Sequence, residues 1–350
     1  MIRVDSWVKF SSYKRPQMTK NKVLVTGATG FLGWRTAEML IDQGFTVRAL
    51  VRTPSKAGNL AKIGAEVAQG DVTDPGSLKP ALENIDYVIH AAADTSGTEK
   101  GARQVTIGGT RNILDLCASR QIKKLVYISS CSVYGLADYK DGHLVDEESP
   151  LERFPELRGI YSWAKLEAEK IVLGYMNQNK VRAVCLRPGT IYGPGGEKFS
   201  PMLGFSLKDK VFFVIHKKGF IMPLVYIDNL LKVIITAMVK DKSTGQVYNV
   251  VDPQQIGKKE YMDTFFRKLY PGAWCFYLPY SLFYAAVGLQ EIIFRALRRN
   301  PVLTRYRLIS SQKPIIYDSS KIMKDLGWQP LFSFDQGADK ITNNGKTKPY

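Results

Sequence analysis

Residues that ligate metals or form disulfides are scarce in this chain. Its 350 residues include four cysteines (Cys117, Cys131, Cys185, Cys275) and three histidines (His90, His143, His216). The cysteines form no C-x-x-C pair and the histidines are equally scattered. That speaks against a zinc site or a disulfide framework and fits a reducing, cytoplasmic setting. Acidic residues are also in deficit, 32 against 49 basic ones, leaving a net charge of +17. No dense Lys/Arg run with interleaved aromatics and no zinc-finger or RNP pattern accompanies that excess, so nucleic acid is not the expected partner. An anionic cofactor or a membrane surface are the remaining explanations. The first twenty residues are basic and lack the apolar core of a secretory signal. They read as a dispensable, disordered arm, with a weak transit-like segment or a start at Met18 as the alternatives. Internal repeats and low-complexity segments are missing.

The composition, 45% hydrophobic and 23% charged, is that of a globular chain long enough to bury a large core. "KVLVTGATGFLGWRTAEMLIDQGFTVRALVR" (22–52) reads strand, glycine turn, helix, strand. "GAEVAQGDV" and "IDYVIHAAA" are further strands, with a helix near Leu78–Leu82 between them. "GTRNILDLCASRQ" is a helix leading into the strand "KKLVYISS". Another helix begins at "YSWAK", and "VRAVCLRPGTIYG" is a strand ending in a Pro-Gly loop. Alternating strands and helices predict an α/β fold with a doubly wound parallel sheet of Rossmann type. The expected division is a dinucleotide-binding part over 21–193 with returning segments near 222–252. A smaller substrate-binding part follows over 194–221 and 253–340, with a tail at 341–350.

The glycines of "TGATGFLG" (Gly27, Gly30, Gly33) follow a strand and open a helix. The first permits a tight turn, the second lets the backbone approach a pyrophosphate, and the third allows close helix–strand packing. The helix N-terminus then faces the phosphates with its positive end. At the end of the second strand an acidic residue would accept the ribose 2′-hydroxyl of NAD. Here Arg52 stands in that place with Lys56 nearby, which favours a 2′-phosphate and hence NADP(H) over NAD(H). Asp71 in "GDVTD" is placed to present its carboxylate to the adenine amino group.

Tyr161 and Lys165 in "YSWAK" lie four apart and so share one helical face. "YDSSK" repeats the spacing at Tyr317 and Lys321, so spacing alone does not assign chemistry. The ordered set "TGATGFLG", "GDVTD", "HAAA", "YISSCSVYG", "YSWAK", "LRPGTIYGPG" and "VYIDN" resembles the extended short-chain dehydrogenases/reductases over roughly residues 22–335. Within them it is most similar to the 3β-hydroxysteroid and sterol dehydrogenase branch. The resemblance implies that Tyr161 is the catalytic acid/base and Lys165 its helper. Ser130 would orient the substrate oxygen, with Ser132 as the alternative. It also implies cofactor contacts at Thr29, Phe31, Leu32, Val72, Ala91, Ala92, Ala93, Pro188, Thr190 and Ile191, beside the residues already named, and a homodimer through the helix bearing Tyr161 and the one preceding Lys123. A free tyrosine titrates near 10, and a cation one turn away would lower that value. Tyr317 and Lys321 match a family segment without a catalytic role.

Two departures from the family matter. Thr106 in "TIGGT" stands where the family usually has asparagine. Ile221, Met222, Pro223 and Leu224 replace the arginine or aspartate that sugar-nucleotide enzymes place before "VYID", which points to an apolar substrate. The expected apolar and basic helix over 278–299 carries Arg295, Arg298 and Arg299 at its end. It is too short to span a bilayer and suits either a peripheral membrane contact or a cover over the substrate pocket. The leading expectation is an NAD(P)-dependent oxidoreductase on a lipophilic secondary alcohol or ketone (sterol-, terpenoid- or acyl-like). The alternatives are a nucleotide-sugar epimerase or dehydratase using the same residues and a non-catalytic cofactor-sensing protein.

Overall fold

The computed structural model describes residues 21–207 and 210–343. The expected N-terminal arm and residues 344–350 of the expected tail lie outside them. Seven strands make the central sheet: β1 (Lys22–Thr26), β2 (Thr46–Val51), β3 (Glu66–Gln69), β4 (Tyr87–His90), β5 (Lys124–Ile128), β6 (Ala183–Pro188) and β7 (Val247–Val250). Their order is β7-β6-β5-β4-β1-β2-β3 and every pairing is parallel. The order reverses between β1 and β4, which opens a crevice at their carboxyl ends, the binding edge of such sheets.

Residue alternation along β1 shows why both faces are covered. Val23 and Val25 point into one apolar cluster and Leu24 into the other. Helices α1 (Phe31–Asp42) and α4 (Ile227–Val239) supply the first cluster with Ala37, Leu40, Leu230 and Ile234. Helices α2 (Gly109–Arg120) and α3 (Ile160–Asn177) supply the second with Ile113, Leu114, Ala168 and Val172. A strand buried on both faces needs a continuous apolar run, and "VLV" is one.

Beyond β6 the chain builds smaller pieces. Thr190–Tyr192 pairs with Leu224–Tyr226, and Ile315–Tyr317 with His143–Val145. A separate sheet joins Gly204–Leu207, Val211–His216 and Trp274–Pro279. This corrects the expected helix over 278–299. Residues 274–279 are a strand, and helix α5 covers only Tyr280–Ala296. Phe212–Ile215 pair with Cys275–Leu278, while Pro279, which has no N–H to give, stands at the helix start. Arg298 at φ +53° leaves helical geometry at the other end. The expected tail also begins later, because the last helix runs Phe334–Asn343.

Candidate active site

Because the strands are parallel, their carboxyl ends share one edge, and the residues expected to hold a dinucleotide gather there. The chain leaves β1 through Gly27, whose φ of +70° is left-handed. A Cβ at Gly27 would stand 2.9 Å from the backbone of Ala91 and Ala92, and one at Gly33 would stand 2.2 Å from the Gly27 carbonyl oxygen. Gly30 donates to that oxygen at 3.0 Å and precedes α1, whose N-terminus no side chain caps. Thr29 is exposed and Leu32 half-buried at this turn. Phe31 packs against Gly193 and Gly196 of the loop after β6, where added Cβ atoms would meet its ring. The result fits a pyrophosphate: a glycine cradle at a helix N-terminus that no side chain caps.

The remaining expected contacts line the same edge. Arg52 is exposed directly after β2. Lys56 ends the short 3₁₀ turn Pro54–Lys56, and its side chain is outside the described ones. Asp71 follows β3 and accepts the Thr73 amide at 2.9 Å, while Val72 is buried against Gly109. Ala91, Ala92 and Ala93 follow β4, Pro188 ends β6, and Thr190 and Ile191 begin the next short strand.

A buried polar chain braces the crevice between β1 and β4. Thr26 Oγ1 lies 2.7 Å from His90 Nδ1, and His90 Nε2 lies 3.0 Å from Thr110 Oγ1. Thr110 donates to the Thr106 carbonyl at 2.6 Å, and the Thr106 hydroxyl accepts the Asp94 amide at 2.8 Å. Thr106 therefore ties the loop after β4 to the helix that continues into α2, filling the family's asparagine position with a hydroxyl. Burial pushes His90 down to about 3, aided by the Lys165 charge, so its imidazole is neutral.

Tyr161 sits in the first turn of α3, with the Ser130 side chain near its hydroxyl. Ser130 Oγ also accepts the Ser132 amide at 3.1 Å. Ser132 Oγ has no hydrogen-bond partner among the described residues, so the structure brings Ser130 rather than Ser132 to the tyrosine. As a whole residue Tyr161 is 49% exposed. Its oxygen lies deep enough that burial raises its pKa, with the nearby Ser130 hydroxyl opposing that rise. Lys165 does share the helical face, but its ammonium donates to the Ile128 carbonyl at 2.8 Å and lies 5.5 Å from the Tyr127 ring centre. Burial lowers Lys165 to about 8, against the raising effects of Cys185 and Glu169.

Glu169 is a residue that sequence reasoning missed. It continues the series 161, 165, 169 along α3 and is fully buried, and that spacing was the available signal. Its carboxylate accepts from Arg187 Nη2 at 2.6 Å and from the Ser129 hydroxyl. Arg187 Nη1 donates to the Tyr134 hydroxyl at 2.7 Å, which donates to Asn249 Oδ1 at 2.6 Å. Asn249 donates in turn to the carbonyls of Val145 and Asp318. Burial alone would lower the Arg187 pKa, but Glu169 overcomes it and the value rises. The "VYG" tyrosine and the "LRPG" arginine thus lock α3 to β6, β7 and the C-terminal segment. Of the serine pair, Ser129 serves that lock and Ser130 faces Tyr161.

The second Tyr/Lys spacing is resolved by backbone geometry. Tyr317 lies on a strand and Lys321 on the helix Ser320–Leu326, so they share no helical face. Tyr317 donates to the Cys131 carbonyl at 3.4 Å, supporting the turn that presents Ser130, and Lys321 lies 5.4 Å from the Tyr248 ring centre. A further unforeseen residue is Arg158, three before Tyr161. Its side chain is only 9% exposed, and its Nε lies 4.0 Å from Glu152.

Residues 23–250 match the NAD dependent epimerase/dehydratase family. A 4-hydroxy-2-methyl-3-oxo-4-farnesyl-3,4-dihydroquinoline-1-oxide ketoreductase of Stigmatella aurantiaca is 27% identical over 329 residues, covering 93% of this chain and 96% of the relative. A 3 beta-hydroxysteroid dehydrogenase/Delta 5-->4-isomerase of Mycobacterium tuberculosis is 29% identical over 336 residues, covering 90% and 88%. The crystal structure of a UDP-glucose 4-epimerase from Thermotoga maritima superposes with a TM-score of 0.71 at 17% identity, covering 93% of this chain and 98% of that one.

Proposed function

The chain belongs to the NAD dependent epimerase/dehydratase family, the extended short-chain dehydrogenases/reductases, and from that membership we propose that it interconverts a secondary alcohol and a ketone on a lipophilic substrate. The observation that carries this reading is the placing of Ser130 near the Tyr161 hydroxyl at the binding edge of the sheet, with Lys165 on the same helix face. In the proposal Ser130 holds the substrate oxygen and Tyr161 gives or takes its proton. Lys165, anchored on Ile128, places positive charge beneath the site. A bound nicotinamide dinucleotide supplies hydride transfer at the carbinol carbon. Gly27, Gly30 and Gly33 would hold its pyrophosphate, and Arg52 with Lys56 a 2′-phosphate, making NADP(H) the preferred form.

Two further observations support an apolar substrate. The relatives named above act on farnesylated and steroid compounds. The stretch Ile221–Leu224 has no charged side chain, and Met222 and Leu224 are buried. The reading places the protein in a reducing cytoplasm, meeting its substrate at a membrane surface through the α5 region. No helix among the described residues is long and apolar enough to cross a membrane. A homodimer would use α2 and α3, whose outward residues Arg111, Asp115 and Lys170 are polar or charged.

The test is to offer lipophilic secondary alcohols with oxidised cofactor and follow reduced cofactor. Net accumulation supports the oxidoreductase. Turnover of a nucleotide sugar without accumulation would replace it with the epimerase reading.

A further inference from the structure

We propose that helix α5 and the adjoining three-stranded sheet form one face that seats on an anionic lipid bilayer. A surface helix ordinarily turns its apolar stripe inward. Helix α5 also carries a second apolar stripe that faces outward. Leu282, Leu289, Ile292 and Ile293 recur at helical spacing and are 63%, 60%, 65% and 47% exposed. Its inward contacts are made by Val287 and Gly288, by Tyr280, Phe283 and Tyr284 packed with Ile215 and Leu308, and by two polar pairs. Gln290 hydrogen-bonds the backbone of Leu303, and Glu291 pairs with Arg305 at 2.7 Å.

The sheet continues this apolar surface. Register places Phe213 opposite both Phe205 and Phe276, and the three rings stack at 4.9 and 5.6 Å. One row on, Val211 stands opposite Leu207 and Trp274. Alternation puts all of them on one side, and Trp274 is 69% exposed. Phe283 of α5 stacks on Phe205 at 6.0 Å, joining helix to sheet.

Charge selects the occupant. Arg295, Arg298 and Arg299 are exposed at the end of the apolar stripe. Between Trp274 and Asn300 the single acidic residue is Glu291, already engaged by Arg305. A second copy on this face would add three more arginines to the interface. Anionic headgroups would neutralise the ones present, while exposed tryptophan and leucine enter the interfacial layer. The inference rests on the lipophilic-substrate reading only for its biological sense, since its observations lie outside the Ser130–Tyr161 site.

The test is co-sedimentation of the full chain, without substrate, with vesicles of phosphatidylcholine alone or mixed with phosphatidylserine. Binding should require phosphatidylserine and weaken with salt. Replacing Arg295, Arg298 and Arg299 by Gln should weaken it on the order of a hundredfold. Leu282→Ser with Ile292→Ser should remove it while leaving turnover of a water-soluble ketone unchanged. No sedimentation with anionic vesicles would overturn the proposal, as would binding indifferent to both sets of changes. A dimer in size-exclusion chromatography that the serine variant dissociates would assign the face to a second copy instead. Vesicle binding by a chain that turns over no ketone would uphold the docking face and count against the oxidoreductase alone.

Discussion

The ammonium of Lys165 donates to the carbonyl oxygen of Ile128, the last residue of β5, at 2.8 Å. Lys165 is therefore fastened to the sheet, one turn from the buried carboxylate of Glu169. Burial holds its pKa near 8, and Glu169 keeps it from falling further. Side-chain NMR titration should find Lys165 near 8, and Glu169→Gln should move it lower. An ordinary value near 10.4 would contradict this arrangement. The same variant leaves Arg187 with no buried counter-charge, so stability should drop by about 3–5 kcal/mol in chemical denaturation.

Thr106 links the loop after β4 to the α2 side of the sheet through Asp94 and Thr110. Thr106→Ala strands the Asp94 amide and should cost about 1–3 kcal/mol in urea unfolding. Thr106→Ser keeps the hydroxyl and should recover most of that loss. Equal destabilisation by Ala and Ser would mean that the threonine methyl, not the hydroxyl, matters.

His90 titrates near 3 when folded and near 6.5 when unfolded. Between those values the unfolded chain binds the extra proton, so stability falls as pH falls through the window. The contribution is at most about 1.4 kcal/mol per pH unit. His90→Gln should be less stable at neutral pH, because it disturbs contacts to Thr26 and Thr110, yet show a shallower acid dependence between pH 6.5 and 3. An unchanged slope would place the acid sensitivity elsewhere.

Arg52 is exposed at the end of β2, where the adenosine ribose of a bound dinucleotide would lie. Tryptophan fluorescence titration should show tighter binding of NADPH than NADH, and Arg52→Asp should reverse the order. Equal affinities in the wild type would make Arg52 an ordinary surface residue.

The sequence made the sheet and its binding edge legible because each carries a local signal. "VLV" is apolar on both faces, and Gly27 and Gly33 sit where a Cβ has no room. The Tyr161 helix was readable from spacing, and its distinction from Tyr317–Lys321 needed only the strand at 315–317. The lock through Glu169, Arg187, Tyr134 and Asn249 was not legible, because it joins residues from 18 to 115 apart in the chain. The direction of Lys165 escaped for the same reason, since its acceptor lies 37 residues away. Residues 278 and 279 were read into the helix because an apolar run there satisfies either period. Only pairing with Val211–His216 decides it as a strand.

The central claim is tested most directly by Tyr161→Phe, assayed for ketone reduction beside cofactor affinity. Removing the hydroxyl leaves the helix and the glycine cradle in place, so dinucleotide binding should be unchanged. Turnover should fall by about 10²–10⁴-fold, the contribution of a positioned acid/base. Wild-type turnover in Tyr161→Phe would contradict the account.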